Sequence, residues 1–251
     1  MPGLVFILVA LLGLTVLRVP QAGAAQSDAR AIECVVLLHG LGRSPAAMKG
    51  LERALARQGY RVVNIGYPSL RVPVERLADV HLHHALTTQL PDDAPQIHFV
   101  THSFGGILLR QYLSNHDLPK LGRVVMLAPP NQGSELADSS RKNSFARWLA
   151  GPNLALLGTA PGDVPKRLGP VSFDLGVIAG DRSFNPILSA LLPGPDDGKV
   201  SVASTRIEGM KDFLVLHSSH MGIKWRAETA RQVARFLAHG SFQHPLPRPR
   251  E

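Results

Sequence analysis

Short apolar runs alternate with segments of helical periodicity in the first half of the chain. The apolar run at residues 32–38 is typical of a strand buried on both faces. Shorter segments with apolar residues predict three more strands at 61–65, 97–100 and 123–127. The segments between them predict helices at about 45–59, 74–89 and 105–115. Strands that alternate with helices predict βαβ units, and therefore an α/β fold with a doubly wound, mostly parallel sheet.

The regular alternation stops at residue 131. Residues 131–170 are rich in Gly, Pro, Ser and Asn, and they predict a short cap insertion with one or two short helices. Beyond it the pattern predicts a fifth strand at 171–179, a long loop at 181–197 and an extended segment at 200–204. A last strand at 213–216 and an amphipathic helix at 225–239 are predicted to follow. The predicted sheet therefore has about six strands.

The two ends of the chain differ in character from this domain. Residues 3–17 are nearly all apolar, which is short for a membrane span and typical of the core of a signal peptide. Small residues follow at 22–25, so residues 1–25 are predicted to be a signal peptide or, alternatively, an uncleaved N-terminal anchor. Either alternative predicts an exported domain at 26–243, and the Pro-rich residues 244–251 are predicted to be a disordered tail.

Composition narrows the function classes. The 251 residues are 45% hydrophobic and 18% charged, which is enough for one large core. The net charge of +8 comes mostly from dispersed arginines without interleaved aromatic residues, so no nucleic-acid partner is predicted. A peripheral contact with anionic lipid is a secondary expectation.

The single cysteine, Cys34, lies in the first predicted strand, which predicts a buried and unreactive thiol.

One motif carries a candidate for chemistry. The sequence T-H-S-F-G-G at residues 101–106 joins the third predicted strand to the next helix, with Ser103 at the turn. This layout is that of a nucleophile elbow, whose usual form is G-x-S-x-G and which exposes a serine hydroxyl at the carboxyl end of a sheet. Taken alone, the motif is equally compatible with a catalytic serine and with a simple turn between strand and helix.

A catalytic serine needs a base and an acid that orients the base. His220 follows the last predicted strand and is the preferred base, whereas His217, at the strand end, is interpreted as structural. The acid has two candidates, Asp181 directly after the fifth strand and Asp197 in the D-D-G turn. Asp197 is favoured because the segment up to His220 has room for one extended segment and one strand, and Asp181 remains the alternative.

Donors for an oxyanion would be the backbone N–H groups of Phe104, after the serine, and of Leu41, in the H-G-L-G loop that follows the first strand. That loop lacks the G-K-[ST] of a phosphate-binding loop. A metal site at His81, His83 and His84 is not expected, because no cysteine or carboxylate stands at ligand spacing. No cofactor is predicted.

The ordered set of motifs is similar to that of a known family. H-G-L-G after an apolar strand, H-S-F-G-G at an elbow, D-G-x-V-S, and S-H after the last strand resemble the bacterial triacylglycerol lipase and esterase branch of the α/β-hydrolase superfamily. The resemblance covers most of residues 32–239. It implies the α/β-hydrolase fold in a minimal form, Ser103 as nucleophile, His220 as base, Asp197 as acid, and Leu41 with Phe104 as the oxyanion hole.

The chain departs from the family pattern in three places. Thr101 replaces the usual Gly or Ala, the first two strands of the family sheet are missing, and the cap is short. The predicted function is hydrolysis of a carboxyl ester or lipid through an acyl-enzyme, with apolar patches of the cap lining an acyl pocket or only packing the cap. The alternatives are an acyltransferase or thioesterase with the same triad, and a non-catalytic scaffold that binds a lipid or a partner protein.

Overall fold

The computed structural model describes residues 32–141 and 151–244. Six strands form one sheet in which every neighbouring pair is parallel. They are β1 (Cys34–Leu38), β2 (Arg61–Ile65), β3 (Ile97–His102), β4 (Leu121–Leu127), β5 (Leu175–Gly180) and β6 (Asp212–Leu216), in the spatial order β2-β1-β3-β4-β5-β6. The predicted doubly wound sheet of about six strands is confirmed.

Helices cover both faces of the sheet. The described α-helices are Lys49–Ala56, Val74–Arg76, His83–Gln89, Phe104–Asn115, Glu135–Arg141, Val164–Arg167, Pro186–Ser189, Val202–Thr205 and Ala227–His239, with residues 151–156 also helical. A π-helical segment, Leu77–Leu82, joins two of them into the helix predicted at 74–89.

Alternation along the central strands divides the core in two. Cys34, Val36 and Leu38 pack with the helices at 74–89 and 104–115, whereas Val35 and Leu37 pack with the helices at 49–56 and 227–239. Successive strand side chains point to opposite faces, and burial on both faces explains why β1 is apolar at every position.

The strand order determines where a ligand can bind. Because β1 lies between β2 and β3, the chain leaves β1 toward one edge and leaves β3 toward the other. Such a reversal of direction opens a crevice at the carboxyl ends of the two strands. The loop after β1 and the turn at Ser103 both lie at this crevice.

Two sequence-based expectations in the second half need correction. Residues 200–204 are not extended, because Ser201 caps a short helix at Val202–Thr205 by accepting a hydrogen bond from the Ser204 N–H. The long loop at 181–197 contains the helix Pro186–Ser189, which Asn185 caps in the same way. Side-chain capping of this kind makes a single helical turn from a sequence whose β-branched or Pro-rich composition favours other structure.

The remaining domain expectations have mixed outcomes. The described residues of the cap contain three helical segments, Glu135–Arg141, 151–156 and Val164–Arg167, where one or two short helices were expected, and the apolar patch at 145–149 lies outside the described residues. The leader at 1–25 and the tail beyond His244 also lie outside them, so both stay predictions. Among the helices of residues 32–141 and 151–244, none is long and apolar enough to cross a membrane. Cys34 is fully buried, and its burial raises the pKa of the thiol to about 11.

Candidate functional site

The turn after β3 holds Ser103 in a strained backbone conformation. Ser103 has φ 54° and ψ −121°, which non-glycine residues rarely adopt. The helix Phe104–Asn115 begins at the next residue, and its first turn approaches the end of β1. A side-chain Cβ at Gly105 would lie 2.6 Å from the carbonyl oxygen of Leu38, so this helix can approach the strand only with glycine at that position.

The second glycine of the motif compensates for the unusual threonine. Thr101 is fully buried at the end of β3, and a Cβ at Gly106 would lie 3.2 Å from its Oγ1. The helix thus accommodates the larger residue because Gly106 presents no side chain to it. Among the described residues, the Thr101 hydroxyl has no hydrogen-bond partner.

The structure brings Ser103, His220 and Asp197 into one chain of hydrogen bonds. Ser103 Oγ lies 3.0 Å from His220 Nε2, and His220 Nδ1 lies 2.7 Å from Asp197 Oδ2. With the ring proton on Nδ1, the imidazole donates to the carboxylate and Nε2 accepts from the serine hydroxyl. His220 and Asp197 are 5% and 2% exposed, so water is largely excluded from this contact.

Backbone groups fix Asp197 from the other side. Its Oδ1 accepts hydrogen bonds from the N–H groups of Lys199 and Val200, each at 2.9 Å, and its carbonyl accepts from the His220 N–H at 2.9 Å. The D-D-G turn therefore holds both the carboxylate and the loop that carries the histidine.

The alternative acid contacts a different histidine. Asp181 Oδ1 lies 2.9 Å from His217 Nδ1, and the His217 side chain is 70% exposed. This pair lies outside the Ser103 contact chain. Of the two carboxylates that the sequence left open, only Asp197 contacts His220.

Two backbone N–H groups near Ser103 are unpaired. Neither Leu41 nor Phe104 donates a backbone hydrogen bond to any part of the chain that the structure describes. The loop after β1 reaches the turn closely, since a Cβ at Gly40 would lie 3.4 Å from the Ser103 Cβ. Free donors of this kind at a strained turn are suited to a developing negative charge.

His39 and Tyr67 hold the loop after β1 in place. Their rings stack with centroids 4.0 Å apart, and the Tyr67 hydroxyl donates to the His39 carbonyl. Burial lowers the pKa of His39, which favours the neutral imidazole, and it raises the pKa of Tyr67. Sequence reasoning missed Tyr67, which the G-Y-P turn after β2 supplies.

His102 is a second residue that sequence reasoning missed. Its Nε2–H donates to the His220 carbonyl at 2.8 Å, and the two rings are 5.0 Å apart. His102 is 2% exposed, and burial, with repulsion from His220 and Lys224, holds its pKa well below the usual range. Neutral His102 can therefore anchor the His220 loop. The sequence signal that could have identified it is its position directly before Ser103 in the motif.

A cleft of about 370 Å³ opens onto Ser103 and His220. Much of its wall is apolar, contributed by the cap and the neighbouring loops: Leu70, Leu136, Leu154, Leu157, Leu188 and Val200. Two cations, Arg43 and Lys199, also line it. The described part of the cap thus contributes to the cleft as well as packing against the core.

Arg110 attaches the cap to the helix that follows Ser103. Its guanidinium is 4% exposed and donates to the carbonyls of Asn131, Pro165 and Gly169. This anchor was not predicted, because nothing local distinguishes Arg110 from a surface arginine. Within residues 32–141 and 151–244, no group of three or more His, Cys, Asp or Glu side chains is placed to hold a metal ion.

Comparisons with known proteins agree with this architecture. A family model described as the alpha/beta hydrolase family matches residues 35–247. A search of curated proteins found no match.

Several solved structures share the fold at low sequence identity. The mature lipase BlEst2 of Bacillus licheniformis is 18% identical, with a TM-score of 0.63, 84% of this chain covered and 93% of the lipase. The phospholipase PlaB of Legionella pneumophila is 19% identical, with a TM-score of 0.67 over 83% of this chain and 60% of that one. The esterase Pf2001 of Pyrococcus furiosus is 17% identical, with a TM-score of 0.55 and 83% of each chain covered.

Proposed function

The chain belongs to the alpha/beta hydrolase family, and we propose that it is a serine carboxyl-ester hydrolase that works through an acyl-enzyme on Ser103. The observation that carries the proposal is the buried contact chain from Ser103 through His220 to Asp197. Structural likeness to lipases and esterases is consistent with this class of reaction.

Each residue then has one role in the first half of the reaction. His220 Nε2 takes the proton of Ser103 as Oγ bonds to the ester carbonyl carbon. Asp197 keeps the imidazole in the productive tautomer and stabilises the imidazolium. The Leu41 and Phe104 N–H groups donate to the oxyanion of the tetrahedral intermediate. When the carbon–oxygen bond to the alcohol breaks, His220 returns the proton to the leaving alcohol.

Water completes the cycle. His220 deprotonates a water molecule, which attacks the acyl carbon, and the acid leaves as Ser103 regains its proton. The apolar cleft beside Ser103 would hold the acyl chain while this occurs. The strained turn at Ser103 serves the reaction by keeping Oγ exposed to the cleft.

The test is hydrolysis of p-nitrophenyl esters of rising acyl length by wild type and four variants. Ser103→Ala should lower kcat at least about 10³-fold, and His220→Ala by a similar factor. Asp197→Asn should lower kcat by about 10²- to 10⁴-fold. Asp181→Asn is the matched control and should stay within about twofold of wild type, because Asp181 contacts His217 instead.

Two results would reject the proposal. Hydrolysis that survives in folded Ser103→Ala would show that the serine is not the nucleophile. A wild-type protein that hydrolyses no ester at any acyl length, while binding lipid or a partner, would favour the non-catalytic scaffold. An equal loss in Asp181→Asn and Asp197→Asn would reject only the assignment of the acid.

A further inference from the structure

Two cations stand on the same loops that carry the proposed catalytic groups. Arg43 lies two residues after Leu41, and Lys199 lies two residues after Asp197. Both side chains line the cleft that contains Ser103 and His220, and both are exposed to solvent. The positive charge therefore lies on the wall of the cleft that contains Ser103 and His220.

Neither cation forms an ion pair with a carboxylate in the part of the chain that the structure describes. Among the described residues that line the cleft there is no Asp or Glu, and neither Arg43 nor Lys199 takes part in an ion pair within residues 32–141 and 151–244. The nearby carboxylate of Asp197 is buried and already bonded to His220 and to two backbone N–H groups. It attracts Lys199 without forming an ion pair with it.

A third cation adds to the same positive field. Lys224 is 2% exposed, and its Nζ donates to the Met221 carbonyl at 2.9 Å and lies over the Trp225 ring. Burial lowers the pKa of Lys224 to about 8, with repulsion from Arg43 and Lys199 adding to the effect. Burial likewise lowers the pKa of Lys199, with repulsion from Arg43 contributing and attraction to the Asp197 carboxylate opposing it in part.

The cleft combines three properties that suit one kind of molecule. It has a serine positioned for ester chemistry, a leucine-rich wall, and two cations that form no ion pair within residues 32–141 and 151–244. We propose that the substrate is an ester with an apolar acyl chain and, beside the scissile ester, an anionic phosphate or carboxylate group that Arg43 and Lys199 bind. This proposal rests on the proposed function and specifies its substrate class.

The physical reason is electrostatic complementarity. Unpaired cations in a partly apolar cleft focus the field and raise the local concentration of an anionic substrate. The planar guanidinium of Arg43 can donate two parallel hydrogen bonds to a phosphate or carboxylate, and Lys199 supplies a second point charge. Binding an anion would also relieve the repulsion among the three cations.

The experiment compares short-chain esters that stay monomeric, so that no lipid surface is involved. The substrates are dihexanoylphosphatidylglycerol, which is anionic, dihexanoylphosphatidylcholine, which is zwitterionic, and dihexanoylglycerol, which is neutral. The readout is the ratio of kcat/KM for the anionic ester to kcat/KM for the neutral ester. The hexanoyl ester of glycolate, which keeps the apolar acyl chain and places a carboxylate beside the scissile ester, provides the carboxylate arm and distinguishes a carboxylate from a phosphate.

The full-length wild type should favour the anionic esters. Arg43→Gln and Lys199→Gln should each lower the ratio by about fivefold, the effect expected for one solvent-accessible charge contact. Lys199→Arg should restore the ratio, because it keeps the charge. Arg182→Gln is the matched control: Arg182 stacks on Phe184 outside the cleft lining, so its removal should leave the ratio unchanged. Added salt should reduce the preference of wild type more than that of the double variant.

The possible failures can be told apart. If wild type hydrolyses all the esters but the ratio is the same in the Arg43→Gln, Lys199→Gln double variant, the anionic substrate class is wrong and the esterase proposal stands. A wild-type preference for the neutral ester would have the same meaning. If the folded protein hydrolyses none of the esters and Ser103 takes up no serine-directed probe, both proposals fail.

Discussion

Replacing Gly105 with alanine tests whether the close approach of helix to strand at the nucleophile turn is required. The added Cβ would lie 2.6 Å from the Leu38 carbonyl oxygen and 2.9 Å from the His39 carbonyl oxygen. Both neighbours are backbone atoms of β1 and its following loop, so neither can rotate away as a side chain would. The helix or the strand must move.

The magnitude follows from two opposing contributions. Overpacking of this kind costs about 1–3 kcal/mol, while alanine in a helix gains about 0.5–1 kcal/mol over glycine. The expected net loss of about 1–2 kcal/mol corresponds to a fall in Tm of about 2–8 °C for a domain of this size. Because the displaced loop carries the Leu41 N–H, kcat for ester hydrolysis should fall as well.

Gly50→Ala is the matched control. Gly50 also lies in a helix, Lys49–Ala56, but its Cβ would meet nothing within 4 Å. The same substitution there should therefore raise Tm by about 1–4 °C. Thermal unfolding followed by circular dichroism measures both variants. If Gly105→Ala were as stable as Gly50→Ala and equally active, the account of the turn would be wrong.

Three further predictions concern buried polar groups near the site. Thr101→Val, which removes a buried hydroxyl without a partner among the described residues, should raise Tm by a few degrees, and a loss of stability would show that the hydroxyl is bonded. His102→Leu should lower kcat about ten- to a hundredfold with little change in KM, since the His220 loop loses an anchor, and unchanged kcat would contradict this. Burial lowers the pKa of Lys224 from 10.5 in the unfolded chain to about 8 in the folded protein, so the unfolded state binds more protons between these two pH values. The free energy of unfolding of wild type, relative to that of Lys224→Met, should therefore rise from pH 8 to 10.5 in denaturant titrations. A difference that stays flat or falls would show that the pKa of Lys224 is not lowered by folding.

The central architecture could be predicted because it depends on local patterns. The strand β1 is apolar at every position, the strands β3 and β4 each contain a short apolar run, and glycines follow Ser103 where the helix approaches the end of β1. Such features are present in the sequence itself, whatever the remainder of the chain does. Because Ser103, His220 and Leu41 each follow a predicted strand, the sequence also placed them at the carboxyl edge of the sheet.

Contacts between distant segments could not be predicted in the same way. Asp181 and Asp197 both lie near the end of the sheet, and the separation from His220 favoured Asp197 without deciding which carboxylate faces which ring. The three-dimensional path of the D-D-G turn places Asp197 against His220 and leaves Asp181 to His217. The Arg110 anchor likewise depends on the fold of the cap, which carries no regular pattern.

Labelling with a fluorophosphonate tests the central claim most directly, because the probe forms a covalent bond only with an activated serine. Wild type and Ser103→Ala, both shown to be folded, would be treated with the probe and analysed by intact-mass and peptide-mapping mass spectrometry. We expect one adduct per chain on the peptide that contains Ser103, and none in the variant. An unlabelled wild type, or an adduct on another serine that persists in Ser103→Ala, would contradict the claim that Ser103 is the nucleophile.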